Sequence, residues 1–112
     1  MSARRREDVL QDLVDLCRET GQHLRGVDIE DFLRSRSLQR AVERTIELIG
    51  EAANQLGDER PPIDVPWDQI ARLRIMLAHV YHKIDPRILH ETATRDVPRL
   101  LRALEDHLGK KR

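Results

Sequence analysis

The sequence predicts an all-α domain, a four- to five-helix up-down bundle, and three observations carry that reading. Apolar residues recur at helical intervals along most of the chain, proline and glycine cluster between these stretches, and no segment alternates with the period of a strand. The 112 residues suit one domain spanning 1–112, with a modest core and short basic, flexible ends. Aromatic residues make up 3% and charged residues 36%, so the interior must come from Leu, Ile, Val and Ala. Twenty basic and twenty acidic side chains cancel, which excludes a broad positive field and leaves any nucleic-acid role to a local site. The lone Cys17 cannot form an internal disulfide, and no apolar run approaches the ~20 residues of a membrane span. These features predict a cytoplasmic protein.

Each helix has its own signals. Val9, Leu10, Leu13, Val14, Leu16 and Cys17 mark the first, which weakens toward Gly21 and Gly26. Asp28 is positioned to cap a short turn carrying Ile29, Phe32 and Leu33. Leu38, Val42, Ile46, Ile49, Ala53 and Leu56 then define a long second helix that Gly57 closes, and Gly50, Ala52 and Ala53 give it a small-residue surface where a neighbour can cross. Pro61 and Pro62 enforce an extended linker. Pro66 opens a third helix, expected from about Pro66 to Ile84, with Asp68 near its positive end. Asp85 and Pro86 start a fourth, carrying Ile88, Leu89, Leu100, Leu101, Leu104 and Leu108, with Pro98 breaking or kinking it.

The third helix carries the chemistry. Arg74, His79 and Tyr81 lie within a segment otherwise apolar, and a guanidinium, an imidazole and a phenol can together hold a phosphodiester and move a proton at neutral pH. At about 100° per residue, Ile70, Leu73, Leu77, Val80 and Ile84 form one stripe with Arg74 and Tyr81 along its margin. His79 falls roughly 140° from Arg74, on a face shared with Arg72, Ile75 and Met76. An apolar pair on a face that ought to be solvated calls for a cover, and a second copy of the chain would bring two Arg and two His toward one axis. His79 and His82, with His90 and Cys17, lack the tight spacing of a zinc site, so neither metal nor cofactor is expected.

The octad from Arg74 to Tyr81 resembles the Arg, four residues, His, one residue, Tyr motif of the HepT-like toxins, a branch of the HEPN superfamily of helical ribonucleases. Ile49-Gly50-Glu51-Ala52-Ala53 is similar to the family's Ile-Gly-Glu-Ala segment, and Val65-Pro66-Trp67 to its entry into the motif helix. The resemblance implies a HEPN-like bundle, a two-fold homodimer whose motif helices flank a shared cleft, and metal-independent endonucleolytic cleavage of tRNA or mRNA. It also implies the toxin of a type VII-like toxin-antitoxin pair. The partner would be a minimal nucleotidyltransferase antitoxin, which in some pairs transfers AMP onto the motif tyrosine, here Tyr81.

In that chemistry Arg74 would grip the phosphate and stabilise the phosphorane, His79 would serve as base or acid, and Tyr81 would orient substrate. Arg72, six residues before His79 by intervening count, also fits the looser superfamily spacing and is the competing cation. Glu51 is a candidate to hold Arg74 in place. The sequence departs from the family at Ile75, commonly Asn, where an aliphatic side chain offers no hydrogen bond. The alternative is therefore a noncatalytic dimeric module that binds a nucleotidyltransferase or a nucleotide.

Overall fold

A computed structural model describes residues 3–78 and 84–110, and all the regular structure within them is helical. Helix α1 spans Ala3–His23, α2 Ile29–Arg34, α3 Arg36–Leu56, α4 Trp67–Ala78, α5 Pro86–Glu91 and α6 Val97–Lys110. A 3₁₀ turn, Gly57–Glu59, follows α3, and a π turn, Thr92–Asp96, joins α5 to α6 without a break. The expected third helix is the one that differs most: Ile84 lies outside any helix, and residues 79–83, including Val80, His79 and Tyr81, lie outside the described residues.

Helix α3 is the hub of the bundle. Its buried stripe of Val42, Ile46, Ile49, Ala53 and Leu56 packs against α1, which contributes Leu10, Leu13, Val14 and Cys17, and against α4 on another side. Helix α6 covers α1 with Leu100 and Leu104. Helix α2 inserts Phe32, which has no exposed surface and meets the His90 ring at 5.3 Å between centroids. Ile88, read as a core position, is instead 60% exposed, because Leu89 takes the inward direction one residue later.

The helix ends follow local chemistry. The Asp28 carboxylate accepts from Asp31 N at 2.8 Å and Asp85 from Arg87 N at 2.9 Å, as the sequence predicts. Ser35, which the sequence reading passes over, caps α3 by accepting from Leu38 N at 3.2 Å. Helix α1 continues through Gly21 to His23, and Gly26, at φ 72°, makes the turn that follows. Buried Gln39 donates its amide to the Phe32 and Leu33 carbonyls at 3.0 and 3.2 Å, satisfying the end of α2. Between α1 and α3 the buried Thr20 and Thr45 hydroxyls meet at 2.8 Å, each also bonded to a carbonyl of its own helix.

Pro98 does not break its helix. A proline has no N–H to offer the preceding turn, and the chain answers by widening that turn, with Val97 N donating to Thr92 O, five residues back. The widened turn also keeps the core in line. Leu89, Ala93 and Val97 are spaced by four, more than one α-helical turn, and the extra width takes up the excess so that all three stay buried.

Phe32→Ala should lower the unfolding free energy by about 3–5 kcal/mol, and Ser35→Ala by about 1 kcal/mol. Urea titration followed by circular dichroism ranks them, and equal effects would mean that α2 is not seated as described.

Candidate functional site

The site is built on α4, and α4 is placed by its own start. After Pro61 the chain descends through three successive tight turns, Ile63 N to Pro61 O, Val65 N to Ile63 O and Trp67 N to Val65 O, at 2.8 to 2.9 Å. The Trp67 indole donates back to the Pro61 carbonyl at 3.2 Å. Arg60 joins the two helices: its Nε reaches the Ala53 carbonyl on α3 at 3.4 Å, and a terminal nitrogen meets Asp68, in the first turn of α4, at 2.6 Å. Sequence reasoning missed Arg60 because its partners lie across a loop, where helical spacing carries no signal.

Two turns along, α4 runs directly against α3. Gly50 is buried, and a Cβ placed on it would stand 2.6 Å from Arg74 N, so the crossing point expected at the small residues is at Gly50. Arg74 is half-buried. Its Nε is shielded from solvent and has no hydrogen-bond partner among the described residues. A buried charged donor without an acceptor is costly, so any acceptor that reaches this Nε is favoured.

The other candidates divide clearly. Arg72 is exposed. Ile75 and Met76 are 49% and 42% exposed, leaving the apolar pair on α4 uncovered within one chain. Glu51 makes no ion pair with Arg74; it lines a shallow depression between α1 and α3 with Asp12 and Asp15, on a different side of α3 from the one that Gly50 presents to α4. Its expected supporting role is therefore not seen. His79 and Tyr81 lie outside the described residues. Of the predicted cluster, Arg74 alone has a described environment.

Ile70 and Leu73, on the inner side of α4, face a cleft of about 520 Å³ whose opposite wall is Val97, Arg99 and Leu100 of α6; Arg74 is not part of its lining. Among the described residues no group of three or more His, Cys, Asp or Glu is placed to hold a metal. His90 rests on Phe32, and Cys17 is buried in α1.

Comparison with known proteins decides the family. Residues 10–106 match the family described as "Ribonuclease HepT-like". The chain belongs to the HepT-like ribonuclease family. It is 34% identical over 99 residues to "Probable ribonuclease HepT" of Thermococcus cleftensis, covering 87% of this chain and 90% of the relative. It is 32% identical over 105 residues to a "Putative RNase" of Caldanaerobacter subterraneus subsp. tengcongensis, covering 92% and 94%. A "Putative RNase" of Methanocaldococcus jannaschii is 30% identical over 108 residues, covering 94% and 98%. No solved structure matches the chain significantly. The HepT-like match spans α3, α4 and the linker between them, so the family and the local geometry concern the same helices.

Cys17 gives the fold around this site a pH signature. Burial, with the Glu105 carboxylate adding to it, pushes its thiol up from 9.0 to about 12, so the folded chain keeps a proton that the unfolded chain releases. Stability should be unaffected by this group below pH 9 and fall between pH 9 and 12 by up to about 1.4 kcal/mol per pH unit. The difference in unfolding free energy between the parent and Cys17→Ala isolates the effect, and a difference independent of pH would contradict it.

Proposed function

We propose that this HepT-like chain is a toxin ribonuclease that cleaves RNA without a metal at a cleft shared by two copies, with Arg74 and His79 as its working pair. The observation that carries the proposal is the half-buried Arg74, whose Nε is sheltered and has no hydrogen-bond partner among the described residues, on the helix where the motif begins. A guanidinium in that setting gains most from a bidentate anion, and a phosphodiester supplies one. The exposed Ile75 and Met76 support the pairing of two copies along α4.

The reaction follows from these groups. His79 takes the proton from the ribose 2′-hydroxyl, whose oxygen attacks the adjacent phosphorus. Arg74 meets the charge that accumulates on the phosphorane, and the bond to the 5′-oxygen breaks as that oxygen receives a proton. The products are a 2′,3′-cyclic phosphate and a 5′-hydroxyl end, with tRNA or mRNA as substrate. In a dimer the partner's His79 can supply that proton.

Control falls to a minimal nucleotidyltransferase, as in a type VII-like toxin-antitoxin system. Transfer of AMP from ATP to the Tyr81 oxygen releases pyrophosphate and leaves a phosphodiester anion seven residues along from Arg74, which would compete with RNA for the guanidinium. Ile75, aliphatic and 49% exposed, is the specific observation for the second reading, in which the dimer binds a nucleotidyltransferase or nucleotide and cuts nothing.

Arg74→Ala and His79→Ala should each lower cleavage of a tRNA pool by about a hundredfold or more, while Arg72→Ala retains activity within a few-fold. A gel assay in EDTA, with end-group analysis for the cyclic phosphate, reads this directly. Wild-type protein that leaves RNA intact would favour the noncatalytic module, and loss of activity in Arg72→Ala alone would move the cation to that residue.

A further inference from the structure

We propose that Gly50 is a positioning residue for Arg74, setting where the guanidinium stands through the backbone of α4. The inference rests on Arg74 being the phosphate-binding cation. A Cβ on Gly50 would meet Arg74 N at 2.6 Å, Ile70 O at 2.9 Å and Arg74 Cα at 3.3 Å. The first two atoms are the donor and acceptor of one helical hydrogen bond in α4. Because every colliding atom is main chain, no rotamer change on α4 can make room.

The second observation lies further out on the same side chain. Arg74 Nε is buried without a partner, and no carboxylate or carbonyl holds the guanidinium among the described residues. Arg60, by contrast, is fixed by a carbonyl on one side and a carboxylate on the other. Without a partner among the described residues, the Arg74 head takes its position from its own Cα and from the packing of its stem. That Cα rests on Gly50.

Helix α4 is also tethered at its start. Arg60 with Asp68, and Trp67 with the Pro61 carbonyl, hold its first turn. A methyl group at position 50 therefore tilts the helix about that pinned end and displaces Arg74 outward. Displacement of a catalytic cation by about 1 Å costs on the order of a hundredfold in rate.

The test uses the full chain and pairs kinetics with nitrogen NMR. Gly50→Ala is expected to lower kcat by about tenfold or more, to shift the Arg74 amide and Nε–H resonances, and to add no further loss on an Arg74→Ala background. Leu13→Ala, a core truncation in α1, serves as the stability control and should keep kcat at temperatures where it is fully folded. Unchanged Arg74 resonances in Gly50→Ala, or a loss that multiplies that of Arg74→Ala, overturns the proposal. If Arg74→Ala itself cleaves like the parent, the ribonuclease assignment of Arg74 fails, and the resonance shift alone decides whether Gly50 places it. If Gly50→Ala does not fold, the parent decides: a strong cross-relaxation peak between the Gly50 Hα protons and the Arg74 amide upholds the contact, and its absence refutes it.

Discussion

Two helix backbones can approach to van der Waals contact only where a side chain is missing, and in this chain that condition is met at Gly50. The contact does more than close a gap in the core. Of α4, only Ile70 and Ala71 are buried, with Trp67, Leu73 and Leu77 partly covered, so apolar burial alone leaves this helix loosely specified in rotation and depth. The direct meeting of main chains supplies the missing specification, since a dense interface tolerates little displacement. Helices α1, α3 and α6 have full apolar stripes and need no such device.

A helix seated in this way can carry a cation that no described neighbour neutralises. Exposed ion pairs are plentiful elsewhere, including Arg18 with Glu105 and Arg95 with Glu91 and Asp96, and they belong to well-solvated faces where each contributes little. Arg74 departs from that pattern in burial and, among the described residues, in pairing. A buried donor that lacks an acceptor costs stability, and such groups are where ligands of opposite charge gain most. Arg74 lies within the stretch that matches the HepT-like family.

The sequence displayed most of the fold because its helices are punctuated by residues whose effects are local. Asp28 and Asp85 cap, Gly57 stops α3, and of the apolar residues expected along α3, Val42, Ile46, Ile49, Ala53 and Leu56 are buried, with Leu38 partly so. What spacing could not reveal were effects that depend on a partner distant along the chain or on a change in winding. Ile88 projects outward although its neighbour is buried, Pro98 is absorbed by a π turn, and Glu51 lies away from Arg74 although they occur on adjoining helices. The site was legible only in part for a related reason. Helical geometry put Arg74 at the margin of the α4 stripe, where it is found half-buried, but the lack of a partner for its Nε among the described residues depends on surrounding elements.

Arg60 bears on the order in which the chain assembles. It links Ala53 to Asp68, residues close enough in sequence that the loop between them closes at small entropic expense. Helices α3 and α4 with their proline-rich connection are thus expected to form a local hairpin before α1 and α6 arrive from the two ends of the chain. Destabilising that clasp should slow refolding more than it accelerates unfolding, whereas cutting into the α1 and α6 contact should do the reverse. The part of the molecule that presents the cation would then be the nucleus around which the remainder condenses.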